Sequence, residues 1–290
     1  MYAGADHWHE PVYRAFEYFD GMEIHYRHAG HAAAPVLLCL HASPVSSAAL
    51  VPLVSALGRS FRVLAPDTLG NGDSRGPIPP TPDIGFYADV CARFLECRGV
   101  ERCSVYGTHT GASIAMELAR RGGATVDRLI LDGVGLYGAG FQKEILENYI
   151  PEFRADVSGA YLVELWSMLR DMYLFWPWFS RRAASRRDVD LPPPEVMHRR
   201  FVEVLKAYDT FGRSYTAAFR FDKRAVLAEL EVPVLVTSVE QDMLSPHDAE
   251  ILSLLPHGVA RRHQGYASAE TAAATADLFR AFLSGDMKTH

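Results

Sequence analysis

Along this chain the spacing of apolar residues changes twice. Near the start, apolar and polar residues alternate through Arg14–Phe19 and Met22–His28, with Asp20-Gly21 between them. Period two marks strands with one covered face, and Asp-Gly is a strong hairpin signal. The alternation then gives way to unbroken apolar runs. Pro35–Leu40 reads PVLLCL, as expected of a strand buried on both faces. Further strands are predicted at Phe61–Pro66, Arg102–Tyr106, Arg128–Leu131 and Val232–Val239, with a weaker one at Gly258–Arg262. Helices are predicted between them at Ser46–Leu57, Ile84–Arg98 and Gly111–Arg121, with Ala269–Leu283 closing the chain. In Ile84–Arg98 the apolar residues Tyr87, Val90, Cys91, Phe94 and Leu95 fall at helical spacing. Such alternation predicts an α/β fold, a mostly parallel twisted sheet with helices on both faces.

The second change comes at Gly138. From there to Phe221 no strand signal appears, only helical stretches, aromatics, the basic run Arg181, Arg182, Arg186, Arg187, and a Pro192-Pro193-Pro194 breaker. The predicted organisation is therefore a core domain of residues 1–137 and 222–290, interrupted by a helical cap of residues 138–221. Leu165, Met168, Leu169, Met172 and Trp176 share one helical face that is expected to pack on the core. A cap over the strand ends also roofs a pocket, so rings such as Trp166 and Trp176 are expected to meet substrate. The arginine run reads as a solvated face, with an anionic substrate group or partner as the lesser reading.

Composition narrows the function classes. The chain has 290 residues, 49% hydrophobic and 22% charged, which suits a folded protein with a large core. A net charge of -6 argues against nucleic-acid binding. No apolar run approaches the ~18 residues of a membrane span. Met1–Arg14 is polar and lacks an apolar secretion core, so a cytoplasmic location is expected. Cys39, Cys91, Cys97 and Cys103 show no C-x-x-C spacing and read as reduced structural thiols. No metal-ligand cluster with zinc spacing is present in the sequence, and no cofactor is expected.

In an open α/β sheet, ligands bind beyond the carboxyl ends of the strands. The turns found there are His41-Ala42-Ser43-Pro44, Asp67-Thr68-Leu69-Gly70-Asn71-Gly72-Asp73-Ser74 and Gly107-Thr108-His109-Thr110-Gly111, followed by Asp132 and Asp242. The first resembles an H-G-x-P oxyanion loop with alanine at the glycine position. The second is similar to a D-x-x-G-x-G-x-S loop, and the third has the frame of a nucleophile elbow. Three such turns in this order resemble the capped branch of the α/β-hydrolase superfamily. The resemblance in element order covers nearly the whole chain. It implies a strained turn with residue 109 at its tip. It also implies an oxyanion hole from the N–H groups of Thr110 and of the Ala42–Ser43 turn.

The sequence departs from that pattern in two places. His109 stands where the superfamily carries serine, aspartate or cysteine. Histidine tolerates positive φ, yet it brings no hydroxyl, thiol or carboxylate to the attacking position. Near the end, aligning Gly265 and Glu270 with the family puts Tyr266 where the catalytic histidine belongs; His263 lies close by and reads as a polar residue at a strand end, a catalytic role being the alternative. The acid position is filled twice, by Asp132 and by Asp242, and either could fix the tautomer of His109. Three roles are open for His109: a general base or acid, the base of a dyad with Ser43 as displaced nucleophile, or a ligand-binding group in a pocket without catalysis. A metal site through His41, His109 and Asp242 is disfavoured, and His41 is otherwise a candidate substrate contact with Trp166, Trp176 and Tyr266. Asp67 and Asp73 read as structural residues of their loop. The expected function is cofactor-free chemistry on a small, largely apolar carbonyl compound. That covers ester, lactone or carbon–carbon hydrolysis, or a related lyase, cyclase or isomerase reaction. The alternative is an inactive small-molecule-binding homologue. A homodimer is compatible with either.

Overall fold

The computed structural model describes residues 10–122 and 125–287. The expectation about the chain's polar start falls largely on Met1–His9, outside the described residues. Eight strands form one sheet: β1 (Tyr13–Phe19), β2 (Met22–Ala29), β3 (Val36–Leu40), β4 (Arg62–Pro66), β5 (Arg102–Thr108), β6 (Thr125–Asp132), β7 (Val234–Val239) and β8 (Gly258–His263). Their spatial order is β1-β2-β4-β3-β5-β6-β7-β8. The first hairpin is antiparallel, β2 runs antiparallel to β4, and all later pairings are parallel. Asp20 and Gly21 make the predicted turn, both at positive φ.

The unbroken apolar runs have a two-sided explanation. In β3, Leu38 and Leu40 enter one core, while Leu37 and Cys39 enter the other. In β7, Val234 and Val236 face the first core and Leu235 the second. Side chains alternate faces along a strand, so a strand covered on both sides must be apolar at every position. The first core is covered by α2 (Ile84–Cys97), α3 (Thr110–Arg121), α8 (Lys223–Glu229) and α9 (Asp248–Leu254). The second is covered by α1 (Val51–Leu57) and α10 (Ala269–Leu283), through Leu53, Leu57, Phe279 and Phe282.

Between β6 and β7 lie α4 (Ala139–Asn148), α5 (Ala160–Leu174), α6 (Pro194–Lys206) and α7 (Phe211–Arg220). They share a third apolar cluster, built on Ile145, Leu165, Leu169, Val204, Phe211 and Phe219, which Val45 joins from the core side. Several boundaries differ from expectation for local reasons. Predicted helix Ser46–Leu57 is a 3-10 turn followed by α1, whose first turn holds Pro52. Proline has no N–H to donate and fits only a first turn. β7 starts two residues late because Pro233 cannot donate to a ladder. The helices α8 and α9 were not anticipated; α8 is capped by Asp222, whose side chain accepts the Ala225 N–H.

Candidate active site

His109 sits on the strand-to-helix turn that follows β5. β5 ends at Thr108 and α3 begins at Thr110, leaving His109 between them at φ 51 and ψ -108. Left-handed backbone costs a non-glycine residue about 1–2 kcal/mol. The turn survives because its neighbours are clamped together. A Cβ on Gly107 would lie 2.4 Å from the Gly111 carbonyl oxygen, and one on Gly111 would lie 2.3 Å from that of Leu40. Only glycine fits either position. The His109 N–H donates to the Asp132 carbonyl at 2.9 Å and ties the tip to β6.

The imidazole crosses to the end of the next strand but one. His109 Nε2 stands 3.2 Å from Asp242 Oδ2. Asp242 is itself fixed, since its Oδ1 accepts the Leu244 N–H at 2.8 Å. Burial opposes a charge on the ring, but Asp242, with help from Asp132, outweighs it and holds the His109 pKa above its ordinary value. Burial likewise opposes the Asp242 carboxylate, but His109, the Leu244 N–H and Arg187 bring its pKa down to about 2. Gly133, at φ 66, completes the packing; a Cβ there would lie 2.9 Å from His109 Nε2 and 3.0 Å from Asp242 Oδ2. With Nε2 turned to the carboxylate, Nδ1 has no protein partner among the described residues. The side chain is 34% exposed.

Of the two candidate acids, it is therefore Asp242 that meets His109. Asp132 is engaged elsewhere: it accepts the Tyr106 O–H at 2.6 Å and lies 3.1 Å from His263 Nε2. His263 Nδ1 accepts the Gly265 N–H at 3.0 Å, so the ring proton sits on Nε2 and points at Asp132. Both nitrogens of His263 are thus spent behind the site. Tyr266, expected as a substrate contact, instead lies parallel to the His263 ring with centroids 6.3 Å apart, and it does not line the cavity.

Ala42, Ser43 and Thr110 do line it. Among the described residues, none of their N–H groups has a protein acceptor, as expected for Thr110 in the first turn of a helix. The Ser43 hydroxyl is 2.8 Å from that of Ser214 on α7, which in turn donates to the Phe211 carbonyl at 3.0 Å. The structure gives Ser43 a hydroxyl neighbour and brings no base to it, so the Ser43–His109 dyad, one of the three open roles for His109, is not assembled. His41 also falls away from the cavity. Its Nδ1 lies 2.8 Å from the Ala42 carbonyl and its Nε2 accepts the Thr68 N–H at 2.8 Å. It is wholly buried, and burial pushes its pKa down. Trp176 lines the cavity, whereas Trp166 packs edge-on against Phe201, at 5.3 Å.

Asp67 anchors the loop after β4. It lies 2.8 Å from His25 Nδ1 and accepts the Ser47 and Asp73 N–H groups at 2.9 Å each. Arg14 donates to His25 Nε2 and to Asp73, so this His/Asp cluster already has its cation.

The cavity has a volume of about 260 Å³. Tyr137, Tyr149, Leu169, Trp176 and Phe219 supply apolar walls, all from the segment between β6 and β7, Leu169 and Phe219 from its helices and the others from the connections. Three cationic residues that sequence reasoning did not place there also line it: Arg187, Arg200 and Lys223. The basic run is thus divided. Arg181 pairs with the buried Asp171 at 2.7 Å, while Arg187 turns inward. The available signals were positional: Gly133 directly follows the strand-end Asp132, and Lys223 follows the helix cap Asp222.

Comparison with known proteins places this arrangement. A family model described as alpha/beta hydrolase fold matches residues 35–263. A protein of Serratia proteamaculans (strain 568) named "Putative carbamate hydrolase RutD" is 26% identical over 217 residues, 71% of this chain and 74% of that protein. Among solved structures, a hydrolase from Pseudomonas aeruginosa PA01 superposes with a TM-score of 0.71 at 22% identity, covering 94% of this chain and 98% of that one. The enol-lactonase from Burkholderia xenovorans LB400 superposes at 0.69 with 19% identity, covering 93% and 100%. At these identities the structures establish a shared fold.

Proposed function

The chain belongs to the alpha/beta hydrolase fold family, and from that premise we propose that it hydrolyses a small, largely apolar carbonyl compound with His109 as general base. The observation that carries this reading is the contact between His109 at the elbow tip and Asp242. One side chain then occupies the tip and supplies the imidazole. That accounts for a chain with no hydroxyl at position 109 and with His263 spent on Asp132.

In this reading Asp242 holds the proton of His109 on Nε2 and leaves the Nδ1 lone pair for the substrate side. Nδ1 takes a proton from a water molecule as that water attacks the carbonyl carbon. The developing oxyanion accepts from the Thr110 N–H and from the Ala42–Ser43 turn. The imidazolium, stabilised by Asp242, then returns its proton to the leaving group. The helices between β6 and β7 act as the cap, their aromatic walls excluding bulk water. The family and a relative named for carbamate hydrolysis support hydrolysis as the reaction class.

A second reading has an observation of its own. A base without an attacking side chain also suits proton abstraction from a carbonyl compound, giving elimination or isomerisation without added water. Turnover of activated esters, lactones and carbamates separates the two. Hydrolysis by the wild type, reduced by about a hundred- to ten-thousandfold in His109→Asn and little changed in Ser43→Ala, is the expected result. Hydrolysis that survives His109→Asn and disappears in Ser43→Ala would overturn the assignment. Binding without hydrolysis across the panel would favour proton abstraction, or binding alone.

A further inference from the structure

Charge in the cavity is one-sided. Arg187, Arg200 and Lys223 reach it from three segments: the connection after α5, helix α6, and the start of α8. None of the three has a carboxylate partner among the described residues, although most arginines elsewhere are paired. Arg187 donates only to backbone carbonyls, those of Met172, Tyr173 and Gln241, at 3.1–3.3 Å. Arg200 lies over the Tyr173 ring, 5.9 Å from its centroid. Lys223 is buried and donates to one acceptor, the Ala218 carbonyl at 2.6 Å. An ammonium has three protons to place. No acidic side chain lines the cavity; behind it Asp242 faces His109 and acts on Arg187 from a distance, and Asp222 acts on Lys223, neither within ion-pair reach of those cations.

Sequestering cations without an ion-paired carboxylate is costly unless something else supplies the charge. The cost registers on Lys223, where burial pulls the ammonium pKa down to about 8. The aromatic walls suit an apolar body. We propose that the substrate of this cavity is an organic acid: a small apolar body bearing a free carboxylate that Arg187, Arg200 and Lys223 receive, with the reacting carbonyl at His109. The inference rests on reading this cavity as the substrate site.

The test is binding, measured by calorimetry at neutral pH so that it does not depend on turnover. The probes are butyrate, hexanoate and phenylbutyrate, each beside its own primary amide. A charge-assisted hydrogen bond is worth about 1.5–3 kcal/mol, so the carboxylate is expected to bind about ten- to a hundredfold tighter than the amide. Arg187→Gln, Arg200→Gln and Lys223→Met are then measured as singles and as the triple variant. At least one single, and the triple in full, should lose the preference while amide affinity is retained. Retained amide affinity also shows that the variant has folded. Arg181→Gln, whose arginine serves Asp171, should keep the preference. Equal affinity for acid and amide in the wild type, binding of neither, or a preference that survives the triple variant would overturn the proposal. If no ester is hydrolysed but the preference behaves as described, the hydrolytic reading fails and this one stands.

Discussion

Gly133→Ala probes the His109–Asp242 pair without touching either residue. The glycine sits at φ 66, so any side chain there incurs left-handed strain of about 1–2 kcal/mol. It also meets a steric obstacle: the new Cβ would stand 2.9 Å from His109 Nε2 and 3.0 Å from Asp242 Oδ2. Carbon contacts settle near 3.5 Å, so ring and carboxylate must each retreat by about 0.5 Å. A misplacement approaching 1 Å at a reacting group can cost about a hundredfold in rate, so a loss of about ten- to a hundredfold in kcat/KM is expected. Gly99→Ala is the matched control. Its φ is 65 and its Cβ would meet nothing within 4 Å, so it carries the strain without the clash. Thermal unfolding and ester turnover, measured on both variants, separate the two contributions. Both should lose stability, Gly133→Ala more because it adds the clash to the strain, and only Gly133→Ala should lose rate. Equal rates in the two variants would show that the His109–Asp242 contact does not matter to turnover.

Two further substitutions address the framework. Tyr106→Phe removes the O–H that Asp132 accepts at 2.6 Å; it should cost about 1.5–3 kcal/mol in denaturant unfolding and leave turnover near wild type. A large rate loss instead would return Asp132 to the catalytic set. Asp67→Asn should destabilise by about 3–5 kcal/mol, because it uncouples a buried carboxylate from His25 and two backbone donors. Burial alone would raise the Asp67 pKa, but His25, His41, Ser47 and Asp73 more than offset it and hold it well below the ordinary value. A depressed carboxylate stabilises above its unfolded pKa of about 3.9 and loses that contribution as pH falls. The gap between wild type and Asp67→Asn should therefore narrow below about pH 4 in unfolding curves, and a gap independent of pH would refute this account.

Much of the fold was legible because strand burial writes itself into sequence. PVLLCL and VLVTSV admit few other readings once both faces of the sheet are known to be covered. The elbow was legible for a similar reason, since two glycines flanking the tip answer to backbone approach distances of 2.4 and 2.3 Å. The choice between Asp132 and Asp242 was not. Both follow strand ends, and what separates them is a competitor, Tyr106, twenty-six residues before Asp132. His263 was undecidable for the same kind of reason, since its fate depends on a carboxylate 131 residues away. Between β6 and β7, helical spacing identified an apolar face but not which rings line the cavity. Trp166 lies within α5 and Trp176 two residues beyond its end, and tertiary packing, not spacing, decides which of them lines the cavity. The arginine run failed as a single reading because Asp171 claims Arg181 and leaves Arg187 to the cavity.

The central claim, that the imidazole at the elbow is the base and Asp242 tunes it, is tested most directly by the pH dependence of kcat/KM in wild type and Asp242→Asn. A base works when deprotonated, so activity should rise with pH through the His109 pKa. In the wild type that rise is expected above the ordinary histidine value of about 6.5, because Asp242 favours the charged ring. Without the carboxylate, burial is opposed only by the weaker pull of Asp132, and the rise should move to lower pH, with a lower plateau. A profile that keeps its acid limb in place after Asp242→Asn would contradict the account.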